Sequence, residues 1–279
     1  MFGPDFQRAK TEWLYPVETL QWFWRALLFF IILVLLDGIF QTLSGAGTYI
    51  LIYSHSISGF FEGVRSASPD ILKASIIGML PSAIVLIACA LILARLGLPQ
   101  RQGRLPLTLP RLGALGWIVV VLGFVILMFV IFNGLFAVLG IDPETYSPSG
   151  GLRDSTSASG LVEKTMADLS HNPVLFAFAL PGIVLAAPIT EELIFRGAFF
   201  SALVNSPVGR VGAVVITSAL WALAHALAAP WLFVGVIFCM GLVLGTLLLR
   251  FGSLWVTIAC HTVWNLLSSL AIFGVGSHS

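Results

Sequence analysis

Charge is what this 279-residue chain has least of: Asp, Glu, Lys and Arg make up 10% of it, against 58% hydrophobic residues. Soluble domains carry about 25% charged residues, so a soluble globular fold is excluded, and a mean hydropathy of +1.00 points to a polytopic membrane protein. The 14 basic and 13 acidic residues nearly cancel and the basic ones sit singly around the ends of apolar runs, which excludes nucleic acid as a partner and leaves the lipid bilayer. The three cysteines, Cys89, Cys239 and Cys260, lie inside apolar runs with no disulfide or zinc spacing between them. No H-E-x-x-H pair occurs, and no A-x-A-like cleavage site follows the first apolar run, which therefore reads as a retained anchor. Nor is there an internal repeat, so residues 1–279 read as a single integral membrane domain.

Long apolar segments fill the space. A helix needs about 20 apolar residues to cross a bilayer, and seven segments qualify: 22–44, 72–94, 114–140, 174–204, 210–229, 231–250 and 254–273. The stretch 48–61 is apolar but short and broken by Ser54, His55, Ser56, Ser58 and Gly59, and reads as an interfacial or re-entrant eighth element. The expected fold is thus an all-α bundle of seven to eight transmembrane helices, with 174–273 as its catalytic core. Inside 174–204, Pro181 and Pro188 each remove a backbone donor and crowd the preceding turn, which predicts a kink or break just before Glu191. Pro188 would then open a second half-helix with Glu191 in its first turn, where the helix dipole favours a carboxylate.

Lys and Arg are retained on the cytoplasmic side. Arg95, Arg101, Arg104 and Arg111 put the connection between the second and third spans there, and alternation adds the N-terminus with Arg8 and Lys10, Arg210 and Arg250. The connection 141–173, with Asp142, Glu144, Asp154, Glu163 and Asp168, falls outside; its Ser, Gly and Pro content around Tyr146 to Gly160 reads as a mobile loop.

Against this apolar background, Pro188-Ile189-Thr190-Glu191-Glu192-Leu193-Ile194-Phe195-Arg196-Gly197 places two carboxylates and a guanidinium at membrane depth. Such groups cost from about 3 to more than 10 kcal/mol each, so they are paired, face a cavity and mark function. Consecutive helical residues point about 100° apart: Glu192 and Arg196, four apart, share a face and pair, while Glu191 points elsewhere. In the fifth span Trp221 and His225 share a face, and in the last His261 and Asn265 do. A carboxylate, two imidazoles and an amide can activate a water and stabilise the oxyanion that forms when it attacks a carbonyl. Asp37, late in the first span beside Gly38 and Gln41, lies near the outer interface and receives no role. His55, His171 and His278 fall in loops or the tail and read as solvated. Cys260 and His261 are neighbours that face apart, which argues against a cysteine nucleophile.

Glu191-Glu192-x-x-x-Arg196, Trp221-x-x-x-His225 and His261-x-x-x-Asn265 resemble, in order, the three motifs of the CPBP family of intramembrane proteases, which contains the CaaX prenyl endopeptidases and the bacterial Abi and bacteriocin-processing proteins. The linker Leu249 to Trp255 is similar as well, and the resemblance covers about residues 180–267. One departure is visible, since the second motif usually begins with Phe where this chain has Trp221. The resemblance implies an endopeptidase in which Glu191 and His225 activate the water, His261 and Asn265 form the oxyanion hole, and Glu192 and Arg196 are a supporting ion pair. It further implies a membrane-associated peptide or protein substrate and no cofactor; the chain is expected to be a multi-pass protein of the bacterial inner membrane, its N-terminus placed in the cytoplasm by the Lys and Arg distribution.

Three alternatives use the same residues. Glu191, His225 and His261 could hold zinc as a two-histidine, one-carboxylate site. The buried charges could instead serve a proton-coupled carrier, which the missing inverted repeat weakens, or a non-proteolytic immunity or scaffold protein. Strict alternation also puts His225 near the outer end of its span and His261 near the inner end of its own, a depth difference on the order of 10 Å. Helix tilt, or a sunken loop at 226–231, would be needed to close it.

Overall fold

The computed structural model describes residues 20–95, 105–141, 158–204, 208–226 and 229–276, and among these the regular structure is helical throughout. In chain order the helices are α1 (Leu20–Tyr49), α2 (Ile57–Arg65), α3 (Pro69–Arg95), α4 (Ala114–Leu139), α5 (Ala158–Ser170), the long α6 (Pro173–Leu203), α7 (Gly209–Ala224), α8 (Trp231–Phe251) and α9 (Leu254–Gly276). Residues 1–19 with Arg8 and Lys10, the connection 96–104 with Arg101 and Arg104, the loop 142–157 and His278 lie outside the described residues, and with them most of the charge on which the orientation was read.

Among the described residues six helices are long and apolar enough to span a membrane, and α7 is a shorter apolar helix. The polytopic helical bundle is as expected; of the seven expected segments the fifth, α7, has 16 residues, which at about 1.5 Å per residue is shorter than a bilayer core of about 30 Å. The first span also runs further than expected. It continues through a π-turn, Ile50–Ser54, and ends where His55 takes a left-handed φ of 53°, so the separate short element is Ile57–Arg65. Within the connection expected to be a loop, α5 is helical because Met166 and Leu169 bury against Ile76 and Ile77 of α3 and Ala179 of α6. Lys73 bridges Asp70 and Asp168 across the same contact.

Besides that contact, two larger cores hold the bundle among the described residues. One joins Phe29 and Leu33 of α1, Leu86 of α3, Leu193 and Phe200 of α6, Val214 of α7 and Leu254 of α9; the other joins Met128 of α4, Trp221 of α7, Met240 and Leu244 of α8 and Cys260 of α9. The outward faces stay apolar, as on α4, where Leu115, Val130 and Val138 are exposed. That surface faces lipid, since water would not tolerate it at this extent. In lipid, helices associate through close packing of small residues, and two contacts here position the site. Gly241 and Gly245 of α8 abut α7, where a Cβ on Gly241 would come within 2.7 Å of the Ser218 Cβ. Gly78 of α3 meets the Gly45 backbone of α1 just as closely, at 2.9 Å from a Cβ to the Gly45 nitrogen.

Candidate active site

The long helix α6 is not broken at its prolines. Pro188 has no N–H, and its ring crowds the carbonyl four residues back. The helix accommodates it by widening to a π-turn over Gly182–Ala186, so that the Ala187 N–H bonds the Gly182 carbonyl five residues back. A second π-turn covers Glu192–Phe199. Helices absorb irregularities in this way frequently at functional sites. Glu191 therefore sits in mid-helix, at the end of the α-turn Ala187–Glu191, and the expected half-helix with Glu191 in its first turn does not form.

Widening leaves one carbonyl without a backbone partner. In the π register the Ile183 carbonyl would take its hydrogen bond from residue 188, which is proline. Asn265 of α9 fills the gap, its Nδ2 donating to the Ile183 oxygen at 3.1 Å. One of the two amide hydrogens of Asn265 is thus committed to holding α9 against α6.

Glu192 and Arg196 are both wholly buried and pair at 2.9 Å, as the four-residue spacing predicted. The same Glu192 Oε1 also accepts from His261 Nδ1 at 3.1 Å. Glu192 is thus more than the partner of an arginine: it orients the imidazole of the third motif, a role that only a cross-helix contact could reveal. The Arg196 guanidinium carbon lies 4.3 Å from the centre of the Trp221 ring, a cation–π contact worth about 2 kcal/mol where water is excluded.

Trp221 is the hub of the arrangement. Its indole Nε1–H donates to Glu191 Oε2 at 2.6 Å. His225 and His261 stand edge-on to its ring, with centroids 5.5 and 5.2 Å away. The replacement of the usual Phe by Trp is therefore consequential, because phenylalanine has no proton to give to Glu191.

His225 caps the C-terminus of α7. Its Nδ1–H donates to the Trp221 carbonyl at 2.9 Å; since a carbonyl only accepts, the neutral ring carries its lone pair on Nε2. That Nε2 lies 4.0 Å from Glu191 Oε2, and so does Nε2 of His261. The expected depth offset between the two histidines does not occur: both Nε2 atoms lie at the level of Glu191. In the neutral form His261 likewise presents an Nε2 lone pair, as its Nδ1 proton is directed at Glu192; it can donate from Nε2 only when doubly protonated.

A cavity of about 260 Å³ opens over this group. Glu191, Trp221 and His225 line it together with Thr190, Ile194 and Phe195 of α6, Met79, Ser82 and Ala83 of α3, and Val34, Asp37 and Gln41 of α1. His261 and Asn265 are not among the residues that line it, although His261 Nε2 reaches the same Glu191 oxygen at 4.0 Å. Asp37, assigned nothing on sequence grounds, is on the cavity. No sequence signal within α1 could have shown that, since it depends on how α1 crosses α3 and α6. Among the described residues no three His, Cys, Asp or Glu side chains converge as a metal-ligating group. His55 and His171 are exposed and outside the site, and Cys260 is buried in the core with Met240 and Leu244.

Residues 173–267 match the family model described as type II CAAX prenyl endopeptidase Rce1-like, consistent with the CPBP family, and all the motif residues fall inside the match. The match supports a membrane endopeptidase of the CAAX type, acting on a peptide or protein in the membrane. No curated protein and no solved structure matches the chain.

Proposed function

We propose, from the premise that this chain carries a type II CAAX prenyl endopeptidase domain at residues 173–267, that it hydrolyses a peptide bond with a water activated jointly by Glu191 and His225. The observation that carries the reading is convergence on one atom: Trp221 and His225 of α7 and His261 of α9 all approach Glu191 Oε2 of α6. Glu191 Oε2 and the basic His225 Nε2 are two acceptors 4.0 Å apart, too far to bond each other and suited to a water donating one hydrogen to each over about 2.8 Å. Such a water keeps its lone pair for a carbonyl carbon presented from the cavity. As the tetrahedral intermediate forms, a proton passes from water to Glu191 or His225, and the same group returns it to the leaving amine.

Charge developing on the carbonyl oxygen is met by an Nε2–H of His261, whose far nitrogen Glu192 engages, and by the second amide hydrogen of Asn265. Trp221 holds the Glu191 carboxylate in one rotamer, and the Arg196 cation beneath the indole polarises its N–H toward that carboxylate. No metal is needed for these steps. CaaX peptides, prenylated or not, a peptide precursor and a transmembrane client all fit the proposed chemistry.

The test is cleavage by the purified full chain in detergent of prenylated and unprenylated CaaX peptides, compared with Glu191→Ala and His261→Ala. Turnover by wild type that both substitutions abolish is the expected result; equal turnover by all three would overturn the reading. Comparing membrane peptides from cells carrying wild type or Glu191→Ala then identifies the substrate.

A further inference from the structure

Asp37 and Gln41 stand on α1, far outside the matched residues 173–267, yet they line the same cavity as Glu191 and His225. The Gly45–Gly78 contact, where there is no room for a side chain between α1 and α3, holds this part of α1 in place. Gln41 Nε2 donates to Asp37 Oδ2 at 3.0 Å, and among the described residues that is the carboxylate's one hydrogen bond. An acid at membrane depth ordinarily has a partner that balances it, a cation or several donors. Here neither lysine nor arginine lines the cavity; its ionisable groups are Asp37, Glu191 and His225. Among the described residues lining the cavity no cation balances Asp37, and a bound ligand can supply one.

We infer that Asp37 is a specificity-determining residue that receives a cationic side chain of the substrate, a lysine or arginine flanking the scissile bond. The inference rests on Glu191 and His225 being the water-activating pair, since it is their cavity that the substrate enters. Gln41 fixes the carboxylate rotamer through Oδ2 and leaves Oδ1 for the incoming ammonium or guanidinium. An acidic side chain at the same substrate position meets two carboxylates and is rejected, which makes the discrimination a matter of repulsion as well as attraction.

The experiment uses the full chain in detergent and fluorogenic peptides identical but for one position flanking the scissile bond, occupied by Lys, Gln or Glu, with the scan run on both sides. Wild type should favour Lys over Gln by about tenfold or more in kcat/KM, as expected for a charged hydrogen bond, and should disfavour Glu. In Asp37→Asn the Lys-over-Gln ratio should fall to about one, while Asp37→Glu keeps the preference. The ratio is independent of how much enzyme is active, so partial misfolding does not obscure it. If Asp37→Asn gives no folded protein, Asp37→Ser and the wild-type preference itself carry the test. Wild type that cleaves Lys, Gln and Glu peptides alike, or a Lys preference that survives in Asp37→Asn, overturns this inference and leaves the protease reading standing. Wild type that cleaves none of them, or CaaX peptides, overturns both.

Discussion

Glu191 and Glu192 are adjacent, and exchanging each for glutamine should have opposite consequences. Glu192 is wholly buried and is the counter-charge for an equally buried Arg196 at 2.9 Å. Its amide cannot balance the guanidinium, and breaking a buried pair by removing one partner costs about 3–5 kcal/mol, a large share of a total stability of about 5–15 kcal/mol. The amide oxygen can still accept from His261, so whatever Glu192→Gln protein folds should keep measurable turnover. Glu191 is different: its side chain is 27% exposed on the cavity, and a glutamine oxygen there still accepts the Trp221 indole N–H. Stability should then change by less than about 1 kcal/mol, while loss of the proton acceptor should lower kcat by about a hundredfold to ten-thousandfold. Thermal unfolding in detergent, followed through tryptophan fluorescence, reads the first quantity and peptide turnover the second. Glu191→Gln retaining more than about a tenth of wild-type kcat would refute the base assignment, and Glu192→Gln as heat-stable as wild type would refute the buried-pair argument.

Trp221→Phe restores the residue usual in the resembling family and removes the proton held by Glu191. Turnover should drop by about tenfold, and an isosteric benzothienylalanine at 221, which keeps the ring and lacks the N–H, should reproduce that loss; full activity in the isostere would mean the indole only packs. Asn265→Ala should orphan the Ile183 carbonyl and lower stability by about 1–3 kcal/mol, measured by unfolding, with a further fall in kcat if its second hydrogen meets the oxyanion. Gly241→Leu should force α7 away from α8, moving Trp221 and His225 off Glu191, and abolish turnover; active Gly241→Leu protein would contradict the close-packing argument. Turnover should survive chelator, whereas loss restored by zinc would replace the proposed chemistry with a metal-assisted one.

Much of this protein is legible in its residues because lipid makes the rules simple. A bilayer demands long apolar helices and penalises every charge, so the helical architecture and the pairing of Glu192 with Arg196 follow from composition and a four-residue spacing. Local reasoning failed where an outcome depended on a second helix. Pro188 suggested a break, yet α6 stays continuous because a π-turn absorbs the missing donor and Asn265, 82 residues away, satisfies the carbonyl left over. His225 and His261 were expected to differ in depth, yet the packing of α7 and α9 against α6 brings both to 4.0 Å from Glu191 Oε2. Trp221 was visible as a departure from the usual Phe, but that its N–H meets Glu191 depends on a second helix. The sequence alone determined which chemical groups this membrane protein keeps at bilayer depth, since their cost there requires a use. Only the tertiary structure decided which atoms meet, that Glu192 serves His261 as well as Arg196, and that Asp37 shares the cavity, because those contacts are set by helix crossings at glycines and no spacing along the chain encodes them.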